Sequence, residues 1–264
     1  MYEYARTEPV TVSLRALSGR VDVEAGRHET IQVDITPIGD SSAARELAAE
    51  VTVALEGDTL VVHVPERRGA LWRRGHSLAI SIRVPEGSTL TGRSASAAIR
   101  ATGRYAQVGL KLSSGHSEVE NVDGDASITA SSGHLTLGRA GGAVTLKTSS
   151  GHLTIGDVIG DVTADTSSGD IRLGSVGASL DATSASGEIK VGRLHQGHAR
   201  IRTSSGDVRV GVAPGTGVWL DLNTSSGRNV NSLAAPADNP PSTGATLELK
   251  VRTSSGDIRV ERAA

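Results

Sequence analysis

The chain has no cysteine and no phenylalanine, and its 264 residues include only 2 tryptophans, 3 tyrosines and 1 methionine. Without cysteine there is neither a disulfide framework nor a thiolate metal site, which agrees with a reducing compartment. Without bulky aromatics a core has to be laid down in thin layers of Val, Leu, Ile, Ala and Thr, a composition that suits a narrow β coil. No apolar run is long enough to cross a membrane as a helix. The N-terminal MYEYARTEPV lacks the basic-then-apolar order of a signal peptide, so the expected location is cytoplasmic. The formal net charge of −2 carries no overall basic bias toward nucleic acid or anionic lipid, and any such contact has to be local.

What is abundant is glycine, with 32 residues, and regular order. SSG or a near copy returns as SSGH at Ser113 to His116, Ser131 to His134 and Ser149 to His152, as SSGD at Ser167 to Asp170, as SASGE at Ser184 to Glu188, and as SSGD at Ser204 to Asp207. The marker glycines Gly115, Gly133, Gly151, Gly169 and Gly187 are each 18 residues apart; Ala97 holds the register one unit earlier and Gly206 falls one residue late. A fixed period of this kind predicts stacked structural repeats. Residues two and four beyond each marker are apolar, as in Leu153 and Ile155 or Ile171 and Leu173. A second pair of apolar columns runs through Val144, Val162 and Leu180 and through Leu146, Ala164 and Ala182. Each unit is thus two strands of alternating inward and outward residues joined by two tight turns.

Like residues recur at 18 and not at 9, so neighbours in one sheet are residues i and i+18. The fold class expected is all-β, a parallel two-sheet β-solenoid of about 18 residues per coil, wound right-handed as parallel crossovers are by default. A meander of hairpins is the competing topology, but it would place alternate SSG turns at opposite ends. Residues 1–93 read as a non-repeating β segment that caps or continues the solenoid. Asp40, Ser41 and Ser42 there precede AARELAAE, the one good helix signal. Residues 94–264 carry the repeats, with a Pro-rich loop inserted at 228–245 before the closing TLELKVRTSSGDIRVERAA. The serines of the marker are expected to bond local backbone, and its glycine to supply backbone freedom.

Two groups of residues could carry chemistry. His116, His134 and His152 each follow a marker glycine, with Asp170 next in the same column; stacked at the strand spacing of roughly 4.8 Å, they could converge on Zn²⁺ or another divalent ion. The alternative is an exposed turn column open to any polar residue. Arg67, Arg68, Trp72, Arg73 and Arg74 form the densest basic stretch, a candidate for contact with a protein partner or, peripherally, a membrane surface. Nucleic acid is disfavoured. The acids Asp170, Glu188 and Asp207 run beside the bases Arg172, Lys190 and Arg209, as a solvated mixed-charge face or a docking surface. No nucleophile elbow, P-loop or dinucleotide fingerprint is present, so neither an enzyme nor a cofactor is expected.

The tandem SSGD and SSGH units, VWLDLNTSSGR and the closing VRTSSGDIRVERA resemble the bacterial β-strand-repeat domains of unknown function labelled putative adhesins, related to the Toast-rack domains. The resemblance is to actinobacterial members without a signal peptide and covers nearly the whole chain. It implies a non-enzymatic scaffold that binds a protein partner, in an envelope-stress or cell-surface context, as a monomer or weak homo-oligomer. A self-assembling, filament-forming protein is the alternative, and a glycan-binding or metal-binding surface protein a third.

Overall fold

The computed structural model describes residues 1–66, 77–233 and 246–263. The described residues form 24 strands and one helix, in two compact units, residues 1–133 and 134–264. The chain is a β-solenoid in which parallel pairing dominates, as the period of 18 predicts.

The first unit contains β1 (Tyr2–Ala5), β2 (Thr11–Ala16), β3 (Gly19–Gly26), β4 (Thr30–Ile38), α1 (Ser42–Ala49), β5 (Thr52–Glu56), β6 (Thr59–His63), β7 (Ser77–Pro85), β8 (Ser88–Ser94), β9 (Ala98–Leu112), β10 (Ser117–Val122) and β11 (Ala126–Ser132). Two ladders result. One runs β1, β4, β7, β3, β9, β10; the other runs β5, β6, β2, β8, β9, β11. The long β9 serves both, its first half against β3 and β10 and its second against β8 and β11. Pairing is parallel except at β1–β4, β4–β7 and β5–β6, so antiparallel strands close one side of each ladder. The helix starts where its signal predicts: the Ser41 hydroxyl accepts from the Ala44 N–H at 3.0 Å, and Ala44 and Leu47 are buried.

The second unit is regular. It comprises β12 (Leu135–Ala140), β13 (Val144–Ser150), β14 (Leu153–Val158), β15 (Val162–Ser168), β16 (Ile171–Val176), β17 (Leu180–Ser186), β18 (Ile189–Leu194), β19 (Gly197–Ser205), β20 (Val208–Val212), β21 (Gly217–Ser226), β22 (Asn229–Ser232), β23 (Thr246–Ser255) and β24 (Ile258–Arg262). Leu153 pairs with Ile171 and Val162 with Leu180, the register of i and i+18. The inward columns Leu135, Leu153, Ile171, Ile189 and Leu146, Ala164, Ala182, Ile201 are all buried. Burying a Val, Leu or Ile stabilises by roughly 1.5–3 kcal/mol, and stacking lets each coil bury its aliphatics on its neighbours. The large-side-chain core that the chain lacks is not needed.

The coils are not stacked in chain order. β23 lies between β19 and β21, and β24 between β20 and β22. The alternation explains the inversion. The last coil in sequence turns Leu247, Leu249, Val251, Ile258 and Val260 inward and all are buried, whereas β22 offers Asn229 and Asn231 at the positions matching Ile258 and Val260. The coil with polar inward residues takes the outside position, because buried amides without partners are costly.

The marker turn shows why one residue type recurs. Gly169 has φ of 148°, and a Cβ there would stand 2.1 Å from the Gly151 carbonyl oxygen, a separation that real Cβ atoms do not show. The buried hydroxyl that meets this carbonyl belongs to Thr166, whose Oγ1 donates to it at 3.2 Å; Ser184 donates likewise to Gly169 and Thr253 to Gly206. Ser167 and Ser168 are exposed, so the hydrogen-bonding part of the motif is the residue before the serine pair. Gly169→Ala is expected to destabilise the protein by about 1–3 kcal/mol or more, read as a lower urea midpoint, while Ser167→Ala changes it by less than about 0.5 kcal/mol.

Candidate functional site

The residue after each marker glycine has a local task. His134 Nδ1 accepts from the His152 N–H at 3.0 Å, His152 Nδ1 from the Asp170 N–H at 2.9 Å, and Asp170 Oδ1 from the Glu188 N–H at 3.0 Å. Asp207 Oδ1 accepts from the Asp257 N–H and Asp257 Oδ1 from the Arg228 N–H, both at 2.9 Å. Each of these five side chains therefore caps a backbone donor of the next coil in space, and imidazole and Asp carboxylate substitute for one another because both present an acceptor one carbon beyond Cβ; Glu188, one carbon longer, pairs with Arg209 instead. The order Asp207, Asp257, Arg228 repeats the inverted coil order. The Arg228 backbone N–H, then its guanidinium, hold the Asp257 carboxyl below its ordinary range.

This arrangement bears on the metal candidates. His134, His152 and Asp170 stand in one column of the second unit; His116 belongs to the first. The His134 and His152 rings stack with centroids 4.9 Å apart and planes 5° from parallel. Parallel rings at that distance aim their nitrogens side by side and not at one point, and zinc requires nitrogens at about 2.0–2.1 Å. Among the described residues no three His, Asp or Glu are placed to hold a metal ion. Arg67, Arg68, Trp72, Arg73 and Arg74 lie outside the described residues.

The outward charges are tied together. Arg172, Lys190, Arg209 and Arg259 fall in one register column, flanked by the acids of the marker column; Arg172 meets Asp170 at 2.8 Å and Arg209 meets Glu188. Exposed pairs of this kind contribute little individually. They make the face neutral on average and finely patterned.

The other ladder of the second unit carries a feature of different character. On its outward face an open groove of ≈ 420 Å³ is lined by Asp181, His198, Arg200, Glu248 and Lys250. Glu248 receives Lys250 Nζ at 2.6 Å and His198 Nδ1 at 2.7 Å, and these two partners, Lys250 first, hold its carboxyl below the usual range. Beside Glu248 in register stands Trp219, 52% exposed, with Lys250 Nζ 5.4 Å from its ring centre. Val218, Leu220 and Leu222 share the inward phase of Leu247, Leu249 and Val251, so the alternation in VWLDL sends Trp219 outward. That alternation was the available signal, since an aromatic in the outward phase of a strand has no core to fill.

A family model, Toastrack DUF4097, matches residues 11–261. The chain belongs to this family. Among solved structures it is similar to a putative adhesin from Bacteroides fragilis NCTC 9343, with 14% identity over 98% of this chain and 95% of that one and a TM-score of 0.46. It is also similar to a putative cell adhesion protein from Clostridium sporogenes ATCC 15579, with 10% identity over 99% of both chains and a TM-score of 0.20. No protein with a curated description matches it. Among the described residues no helix is long and apolar enough to cross a membrane.

If the marker column works as a backbone cap, His152→Asn keeps the acceptor and His152→Leu removes it. The leucine variant is expected to be less stable than the asparagine variant by about 0.5–1.5 kcal/mol at neutral pH, measured by chemical denaturation of both.

Proposed function

We propose that the chain is a non-enzymatic interaction scaffold that docks a protein partner on the outward face of β19, β23 and β21. One observation carries this reading: Trp219, half exposed, stands on a paired strand beside charged residues that already neutralise one another. Tryptophan and arginine are the side chains most enriched at interface hot spots, and a rim of satisfied polar groups is their usual surround. Docking there buries the Trp219 ring without stranding an unpaired charge, because Glu248 and Lys250 stay matched in the bound state. The His198–Glu248 pair could serve as a general base, but the Ser179 hydroxyl in the same groove accepts from the His198 backbone N–H, no nucleophile is hydrogen-bonded to either side chain of the pair among the described residues, and the groove is open to water. An adhesion role, the one in the names of the two similar structures, is of this scaffold class.

The test is affinity capture from the native source with the intact chain, followed by titration of the captured protein against purified variants. Trp219→Ala is expected to weaken binding about tenfold or more, with an unchanged thermal transition, while Lys190→Ser on the opposite ladder leaves it unchanged. Equal binding by the wild type and Trp219→Ala places the partner elsewhere and overturns the proposal.

Self-assembly is the second reading, and it too has an observation in its favour: among the described residues no strand pairs with the outer edges of β21 and β22. Against it stand Asn229 and Asn231, which make that end polar. The expected result from light scattering is a mass independent of protein concentration; a mass that climbs with concentration favours assembly instead.

A further inference from the structure

The outward face of β2, β8 and β9 in the first unit carries a feature that the scaffold reading does not use. Register places Arg15 beside Arg93 and Arg93 beside Lys111, three cations in adjacent strands. Adjacent strands are roughly 4.8 Å apart, and like charges directly opposite one another destabilise a sheet. Elsewhere in this unit the pattern is different. Arg20 meets Asp22, Arg100 meets Glu118 and Arg104 meets Asp123. No described residue forms an ion pair or side-chain hydrogen bond with Arg15, Arg93 or Lys111, and all three are exposed.

Two contiguous grooves, of ≈ 320 Å³ and ≈ 530 Å³, share these three side chains as lining. Their other polar lining is mostly hydroxyl. Ser127 and Ser113 are exposed there, whereas the Thr91 hydroxyl is spent on the Val12 carbonyl and the Ser94 hydroxyl on the Ala97 carbonyl. Among the described residues Glu66 is the single acid of the lining. His63 follows Arg15 in the same column and lies 3.1 Å from the Ser13 hydroxyl.

We propose that this groove is a binding site for a phosphate-bearing anion, held by Arg15, Arg93 and Lys111 with Ser113 and Ser127 as neutral donors. The stoichiometry of charge selects the class. A carboxylate offers two oxygens, which one arginine fork saturates. A phosphoryl group carries about −1.5 to −2 charges on three terminal oxygens and spans two neighbouring cations, and a second linked phosphoryl reaches the third. The surroundings agree, since burial and then the Arg15 charge hold His63 below its ordinary range, with Glu56 opposing; a bound anion cancels the Arg15 contribution. The site is independent of Trp219, which lies in the other unit.

The experiment is titration of the full chain at low salt with inorganic phosphate, pyrophosphate, tripolyphosphate, glycerol 3-phosphate and an oligoglutamate, followed by calorimetry and by the His63 imidazole resonances. Affinity is expected to rise from phosphate to tripolyphosphate, and the His63 pKa to rise on saturation. Arg15→Ser and Arg93→Ser should each lower affinity about tenfold or more, whereas Lys190→Ser, an equal change of net charge in the second unit, leaves it unaltered. Glycerol 3-phosphate binding as tightly as phosphate assigns the site to a phosphoryl group on a larger molecule, and its failure beside firm tripolyphosphate binding assigns it to free polyphosphate. Oligoglutamate binding as tightly as tripolyphosphate, equal losses in Lys190→Ser and Arg93→Ser, or no binding of any phosphate overturns the proposal.

Discussion

Each coil of the second unit meets the one before it at a point with no room for a side chain. The marker glycine sits against the carbonyl of its predecessor, and that contact fixes both the height and the phase of the next turn. With phase fixed, inward residues fall on inward residues for the length of both ladders. The aliphatic columns, the buried hydroxyls that complete the marker carbonyls and the acceptors that cap the following N–H groups all depend on it. None of these contacts is strong alone. They recur in every coil, and a repeat stack gains stability from the sum of such neighbour terms.

The same phase-locking organises the surface. Outward side chains are held in columns a strand apart, so a single residue type repeated along a column becomes a line of charge. Where acids and bases occupy neighbouring columns the line is neutralised within the protein, as with Arg172 and Asp170. Where one column is basic and no described residue forms an ion pair with it, as with Arg15, Arg93 and Lys111, it is left open to an anion from solution. Trp219 follows the same logic in apolar form, because a strand alternation has no other place for it.

Much of this architecture was legible from the residues. The spacing of 18 set the parallel register, the aliphatic pairs located the core, and Ser41 with the helix formers behind it located α1. Three things were not legible. The serines of the marker draw attention by their regularity, yet the buried hydroxyl is that of Thr166, Ser184, Thr203 or Thr253, one place earlier, where the column changes from Ala130 through Thr to Ser and so looks less conspicuous. The histidine column reads as a ligand set in the sequence, and in the structure the His134 and His152 rings stack with each Nδ1 accepting from a backbone N–H, a task that spacing alone does not specify. The order of the last coils is hidden because chain adjacency says nothing about which coil fits which slot; Asn229 and Asn231, in the inward phase of β22, were the clue.

That inversion has a consequence for biosynthesis. Chains emerge from their N-terminus and begin to fold as they emerge, so β21 and β22 are made before the coil they finally rest on. For that interval the buried edge of β19 and β20 faces a strand pair of matching period that is not its final neighbour. A stack assembled in order of synthesis would seat β21 on β19 and then have to open again to admit β23. The final order can therefore form only once residues 246–262, which carry β23 and β24, are available to take the position between the two neighbouring coils.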